Sequence, residues 1–249
     1  MVLMRAASAP IPINRAERRA LIRTQKGQGR SDPRVPRTPS LRRPRRQDVV
    51  IYRVRVDLDH ARPPIWRRLD VLSDLRLDEM HAVLQAAMGW DHSHLHEFSL
   101  RSGRRRSERY APPSPDDLGD DVIPTEQVRL DEVLQELGDE LHYTYDFGDS
   151  WEHTVRLEEI LPEEEDSPAV KCVKGVRACP PEDCGGVWGY EAMLDYARGL
   201  AAGSTLADED AQELLMWLFP GMSAAQILKE SAACDVRAVN ARLASVRPR

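Results

Sequence analysis

Three histidines and a few carboxylates are the residues of this 249-residue chain best equipped for chemistry. His94 and His96 stand two apart in "HLHEFSL", so in an extended segment both side chains project from one face. His153 stands in "YDFGDSWEH", on a segment that could neighbour them. With Asp146, Asp149 or Glu97 added, the set suits zinc or another divalent cation, leaving a coordination position for a water that the ion would acidify. Trp90, just ahead of "DHSHLH", could wall a pocket there. The plainer reading gives His94 and His96 ordinary half-buried places beside Phe98 and Leu100, which share their face.

A second donor set, Cys172, Cys179 and Cys184, is spaced C-x6-C-x4-C and lacks the C-x2-C knuckle of a zinc finger. A loop shaped by proline, glycine and buried thiols is the simpler account, and a three-thiolate zinc site completed by a histidine is the alternative. Four cysteines in a chain without a secretory pattern argue for reduced thiols or a metal rather than a disulfide framework. Asp146, Phe147 and Gly148 match a tripeptide that positions magnesium in protein kinases. Kinase chemistry also needs a glycine-rich phosphate cover, a strand lysine and a catalytic loop, and none is found here. Turn geometry explains the tripeptide better: Gly148 permits a positive φ, and Asp146 or Asp149 can accept turn amides.

These residues must be positioned by the elements around them. "VVIYRVRVDLD" alternates apolar and polar residues with period two, as a half-buried strand does, and "PPIWRRLDVL" predicts an antiparallel partner. Leu77, Met80, His81, Leu84, Ala87 and Met88 recur at helical spacing, with Ser73 or Asp74 available to cap and Gly89 to terminate. Residues 94–100 return to a strand, and residues 101–124 read as loop by composition. "VRLDEVLQELG" predicts a short helix. Residues 141–147 and 151–157 predict a hairpin, an acidic stretch and the cysteine-bearing loop follow, and helices are expected over 189–201, 208–218, 223–231 and 235–245. The expected fold class is α+β, with a mainly antiparallel sheet packed by helices and a helical C-terminal part.

The formal charge of −6 is unevenly placed. Residues 1–50 carry thirteen Lys and Arg against three Asp and Glu, while the remainder is strongly acidic. Residues 1–47, rich in Pro and Arg, cannot bury enough apolar area to offset ordering and are expected to be a disordered basic arm; residues 48–249 form a single domain. Such an arm on an acidic body either seeks a polyanion, namely nucleic acid or an acidic protein, or folds back on its own domain. The arm lacks aromatic residues for base stacking, which weakens the nucleic-acid case. No apolar run approaches the roughly 18 residues of a membrane span, and Val2–Met4 is too short for a secretory signal. The expected location is cytoplasmic, although an Arg-rich, acid-poor leader is also the composition of an organellar transit peptide.

The stretches "YRVRVDL", "PPIWRRLDV", "LDEMHAVLQAAMGW", "HLHEFSL", "YTYDFGDSWEHTVRLEEI" and "GVRACPPEDCGGVWGYEAML", in this order, closely resemble the plasmid pRiA4b ORF-3-like family. The resemblance spans about residues 49–245, and is thinnest over 206–230, where Trp217 alone matches. It implies a compact α+β fold in a cytoplasmic, mostly bacterial family without an agreed active site, some members of which are labelled resolvase-like transposon passengers. A serine recombinase would need a nucleophilic serine delivered by its first strand. "IYRVRVD" has none. The reading that follows is a non-enzymatic binding or accessory protein associated with mobile-element or nucleic-acid processes. A metal-dependent hydrolase using the His and Asp residues is one alternative, and a structural protein-interaction module is the other.

Overall fold

The structure, a computed structural model, describes residues 40–102, 106–113, 122–163, 168–204 and 209–246. The chain divides into two units after Pro39, and the described residues all belong to the second. Eight strands form one sheet: β1 (Ile51–Leu58), β2 (Ile65–Leu72), β3 (His96–Ser102), β4 (Arg106–Ala111), β5 (Val122–Pro124), β6 (Glu140–Tyr145), β7 (Trp151–Leu161) and β8 (Val170–Val176). Their spatial order is β5-β4-β3-β6-β7-β1-β2-β8. Every pairing is antiparallel except β4 with β5. Six α-helices are present among the described residues: α1 (Leu77–Met88), α2 (Leu130–Val133), α3 (Gly186–Ala201), α4 (Glu209–Leu218), α5 (Ala224–Ser231) and α6 (Val236–Leu243). The expected α+β architecture is therefore present, and the four C-terminal helices lie within a few residues of their predicted spans.

Period-two alternation builds the sheet. Tyr52, Val54, Val56 and Leu58 of β1, Leu141, Tyr143 and Tyr145 of β6, and Trp151, Val155 and Leu157 of β7 point to the buried face. There they join Leu77, Met80, Val83, Leu84 and Ala87 of α1 in one core. Burying each large side chain contributes about 1.5–3 kcal/mol, which holds the strands in register. The other face is a lattice of ion pairs: Arg53 grips Asp70 at 2.8 and 3.0 Å, and Arg68 grips Glu158. Trp66 sits on this outer face beneath the Arg55 guanidinium, 4.5 Å from its ring centre. Its neighbour Arg67 points inward, only 2% exposed, and donates to the carbonyls of Trp66, Val176 and Ala87.

Several local expectations are corrected. Ser73 does not cap α1: its hydroxyl accepts the Val50 amide, while Arg76 takes the N-cap position and its amide donates to Glu79. Gly89 does end the helix, at φ 88°. The supposed loop over 101–124 contains β4 and β5, because Tyr110 pairs with Phe98 and both side chains are buried. The cysteine loop begins as β8, whose free edge is partly covered by Asn240: its side-chain amide bonds both the amide and the carbonyl of Cys172. The helix predicted up to Gly138 stops at Val133.

The expectations for residues 1–39 concern residues outside those described. Residues 40–47, placed by composition in the same arm, run along the acidic body. The Leu41 amide donates to Glu108 at 2.7 Å, the Arg43 amide to the Glu132 carbonyl at 2.8 Å, and the Arg46 amide to Asp131 at 3.1 Å. Arg42 pairs with Glu108, Arg43 with Asp139 and Arg45 with Glu132. Composition fails here because the segment is ordered by carboxylates rather than by apolar burial. Burial pushes the Glu108 carboxyl up, but bonds from the Leu41 amide and the Ser40 and Tyr110 hydroxyls outweigh it and hold the group below the usual range.

Candidate functional site

Three loops meet where β3 begins, β6 ends and β7 begins. The first is residues 89–95, the second the turn 146–150, and the third the Cys/Pro segment 177–185. Trp90 fixes the first to the third: its indole N–H donates to the Pro180 carbonyl at 2.9 Å. Tyr145 is the knot. Its hydroxyl accepts the amides of Ser93 at 3.0 Å and His94 at 3.3 Å, and it donates to Glu182. Glu182 also accepts the Asp91 amide at 2.9 Å. The turn is bound to the third loop through the Gly185 amide, 3.2 Å from Asp149, and through Gly186, where an added Cβ would stand 2.3 Å from the Asp149 carbonyl. Only glycine permits that approach.

The turn differs from expectation in one respect. Its positive φ values fall on Asp146 (53°) and Ser150 (55°), not on Gly148. Asp146 tolerates this because its Oδ1 accepts the Gly148 amide at 2.9 Å, closing an Asx-type turn. His92 (60°), Arg177 (65°) and Asp183 (58°) share the left-handed conformation, so five of the six such non-glycine residues among the described residues gather in these loops. Backbone held in sparsely populated regions concentrates where function demands placement.

That placement brings His94, Asp146 and Asp183 together. One ligand atom from each lies within 4.8 Å of the others, the one such group of three among the described residues. His94 Nε2 stands 3.2 Å from Asp183 Oδ1 and 3.7 Å from Asp146 Oδ2. This nitrogen is shielded from solvent, yet it makes no hydrogen bond of acceptable geometry. One imidazole and two carboxylates facing one another without bonding is a donor set suited to a divalent cation such as Zn²⁺, Mn²⁺ or Mg²⁺.

The other two histidines of the sequence-derived trio go elsewhere. His96 stacks face to face on His81, ring centres 3.6 Å apart and planes 5° from parallel. His81 Nδ1 meets the Tyr143 hydroxyl at 2.8 Å, and its Nε2 lies 3.2 Å from His92 Nδ1. Burial pushes His81 down to about 2 and His96 to about 4, the neighbouring imidazoles adding to the effect. His153 is 1% exposed, its Nδ1 at 3.0 Å from the Trp151 carbonyl, and burial brings it to about 4. These three imidazoles are neutral members of the core.

Glu97 lies on the opposite face of β3 and pairs with Arg109 at 2.7 Å, away from the triad. Asp149 ties loops together rather than joining the ligand atoms. Trp90, nearly buried, borders a cleft beside α1. The cysteines separate as well. Cys179 accepts from Arg67 at 3.0 Å, Cys172 lies on β8, and Cys184 is packed beside Gly186. All four are free, and burial pushes Cys172 up to about 11 and Cys184 to about 12, values of inert thiols. Sequence reasoning missed Asp183, Glu182 and Tyr145. The available signal was "PPEDC", two carboxylates in a loop whose prolines and glycines restrict its shape.

No helix among the described residues is long and apolar enough to cross a membrane. The chain is 39% identical over 153 residues to the uncharacterized protein y4hQ of Sinorhizobium fredii, covering 59% of this chain and 75% of that one. Its structure resembles the crystal structure of MM3350, a protein of unknown function from Methanosarcina mazei Go1, with a TM-score of 0.62 and 30% identity over 76% of this chain and 96% of that chain. The sequence model of the plasmid pRiA4b ORF-3-like proteins matches residues 50–225, most of the described body and all three loops, and the chain belongs to that family.

Proposed function

We propose that the protein binds a divalent cation through His94, Asp146 and Asp183 and uses it to activate a water for hydrolysis. The carrying observation is the convergence of three ligand atoms around a solvent-shielded His94 Nε2 that bonds to neither carboxylate. Three protein ligands leave coordination positions for water, and a bound cation lowers the pKa of that water toward neutrality. The supporting shell is of the kind such sites need, with Asp146 braced by the Gly148 amide and the two flanking loops joined through Tyr145 and Glu182. The binding-protein reading drawn from the basic arm has less support. Its residues 40–46 engage carboxylates of their own domain.

Calorimetric titration of chelator-treated protein with Zn²⁺ and Mn²⁺ tests the reading, together with hydrolysis of p-nitrophenyl acetate and bis-p-nitrophenyl phosphate. One cation should bind per chain. Asp146→Asn should weaken it by about 100-fold or more, since even outer-shell partners of metal ligands contribute 10–100-fold. His96→Ala should leave the affinity within about threefold, the ordinary context dependence of such values. Affinity unaffected by Asp146→Asn, or abolished equally by His96→Ala, would overturn the site; a bound metal without turnover of either ester would remove the hydrolytic part alone.

A further inference from the structure

The three loops that carry the triad are strongly acidic. Residues 89–95, 146–150 and 177–185 hold five carboxylates, Asp91, Asp146, Asp149, Glu182 and Asp183, against one guanidinium, Arg177. Arg177 lines a separate crevice with Leu58, Ile65 and Glu191. Among the described residues, no Lys or Arg pairs with any of the five carboxylates. A divalent cation offsets only part of this excess, so the mouth of the site stays anionic with the ion in place. Sites that process phosphoryl groups surround their oxygens with Arg, Lys or further metal charge, and these loops do the reverse. An uncharged carbonyl needs only the one cation to polarise it. The same loops also expose apolar side chains: Leu95, next to His94, is 61% exposed, and Phe147, next to Asp146, is 55% exposed. Their segments are joined, because the Asp146 amide donates to the Leu95 carbonyl at 2.9 Å and so extends the β3–β6 pairing one step past His96 and Tyr145. Two exposed apolar side chains on hydrogen-bonded neighbouring segments, each adjoining a ligand residue, differ from the singly scattered apolar residues of an ordinary surface.

We propose that the substrate of this site is an uncharged carboxylic ester whose apolar acyl chain lies against Leu95 and Phe147. This rests on the cation-dependent hydrolysis argued above and adds the class of substrate. Hydroxide adds to the ester carbonyl carbon, the bond from that carbon to the alkoxy oxygen breaks, and the departing alkoxide takes the hydroxyl proton, leaving a carboxylate and an alcohol. The carboxylate product is an anion in an acidic mouth. The charge that admits the neutral ester therefore expels its product.

Steady-state kinetics on the cation-loaded full chain, with p-nitrophenyl acetate, p-nitrophenyl hexanoate and mono-p-nitrophenyl adipate as probes, test it. The hexanoate should exceed the acetate in kcat/KM by about 10-fold, since one buried methylene contributes up to about fourfold. The adipate is as long but ends in a carboxylate. It should fall about 10-fold below the hexanoate at low salt and recover part of that loss at roughly 0.5 M salt. Phe147→Ser and Leu95→Ser should each bring hexanoate and acetate within about threefold of one another, and Phe147→Leu should keep the preference. Calorimetry with hexanohydroxamic and acetohydroxamic acid reads the same acyl preference without turnover. Equal affinity of these two acids, equal turnover of hexanoate and acetate, a preference for the adipate, or turnover of bis-p-nitrophenyl phosphate alone would overturn the inference and leave the cation site standing. No bound cation, or no turnover of any ester, would overturn the hydrolytic reading and the inference with it.

Discussion

His94 and His96 stand two residues apart at the mouth of one strand, and their environments are opposite. His96 is stacked on His81, buried and brought to about 4. His94 is half-exposed and faces two carboxylates. The difference comes from what lies above each ring rather than from the strand. Over His96 the core helix α1 supplies another imidazole; beside His94 two loops, one from the β6–β7 turn and one following β8, supply Asp146 and Asp183. Nε2 of both rings is shielded and without a hydrogen bond, so what separates them is the facing group: carboxylates beside His94 can share a cation with it, whereas the imidazole stacked on His96 cannot.

The largest way to break the comparison acts on its buried half. His153 has a folded-state pKa of about 4 against about 6.5 unfolded. Between those values the unfolded chain binds more protons, so the contribution of this residue is fully present above about pH 6.5 and is lost as pH falls toward 4. At 1.36 kcal/mol per unit, that is about 3 kcal/mol. Urea unfolding of His153→Phe should show a correspondingly shallower decline of stability between pH 6.5 and 4. An unchanged slope would mean that His153 is not held neutral by the core.

A smaller effect acts on the loop half alone. Tyr145→Phe removes the hydroxyl that bonds the amides of Ser93 and His94 and the Glu182 carboxylate. Cation affinity should fall about 10-fold, the lower range for positioning partners, with the pH profile of stability retained. Loss of the pH profile together with the affinity would show that loop and core are not separable. The smallest effect should come from Glu97→Gln, on the far face of the same strand. Stability should change by less than about 0.5 kcal/mol, as exposed ion pairs do, and cation affinity not at all. A drop in affinity would return the site to the strand.

Comparing expectation with structure locates where sequence reasoning works. The strands β1, β2, β6 and β7 and the helix α1 were legible because each buries one face, and the periods of two and 3.6 residues record which face that is. Strand β4 was hidden among arginines and serines, since a single buried Tyr110 carries its register. Strand β8 was obscured by its own Cys172 and Gly175 and by the Cys/Pro segment that follows it. The candidate site was half legible. His94 and Asp146 were named from their spacing and turn chemistry, but Asp183 was not, and His96 and His153 were grouped with His94 because alternation gives a face without saying what covers it.

By itself, then, the sequence determined the alternating strands, the amphipathic helices, the charge split and the turn at Asp146, all consequences of local stereochemistry and of which side chains avoid water. The tertiary structure decided which imidazoles became core and which met carboxylates. It decided too that residues 40–46 fold back on their own domain. Those outcomes depend on pairings between segments tens of residues apart, such as Tyr145 with Glu182 and Gly186 with Asp149. No local pattern encodes them, because the energy that selects each pairing exists only once the sheet has brought the loops within hydrogen-bonding distance.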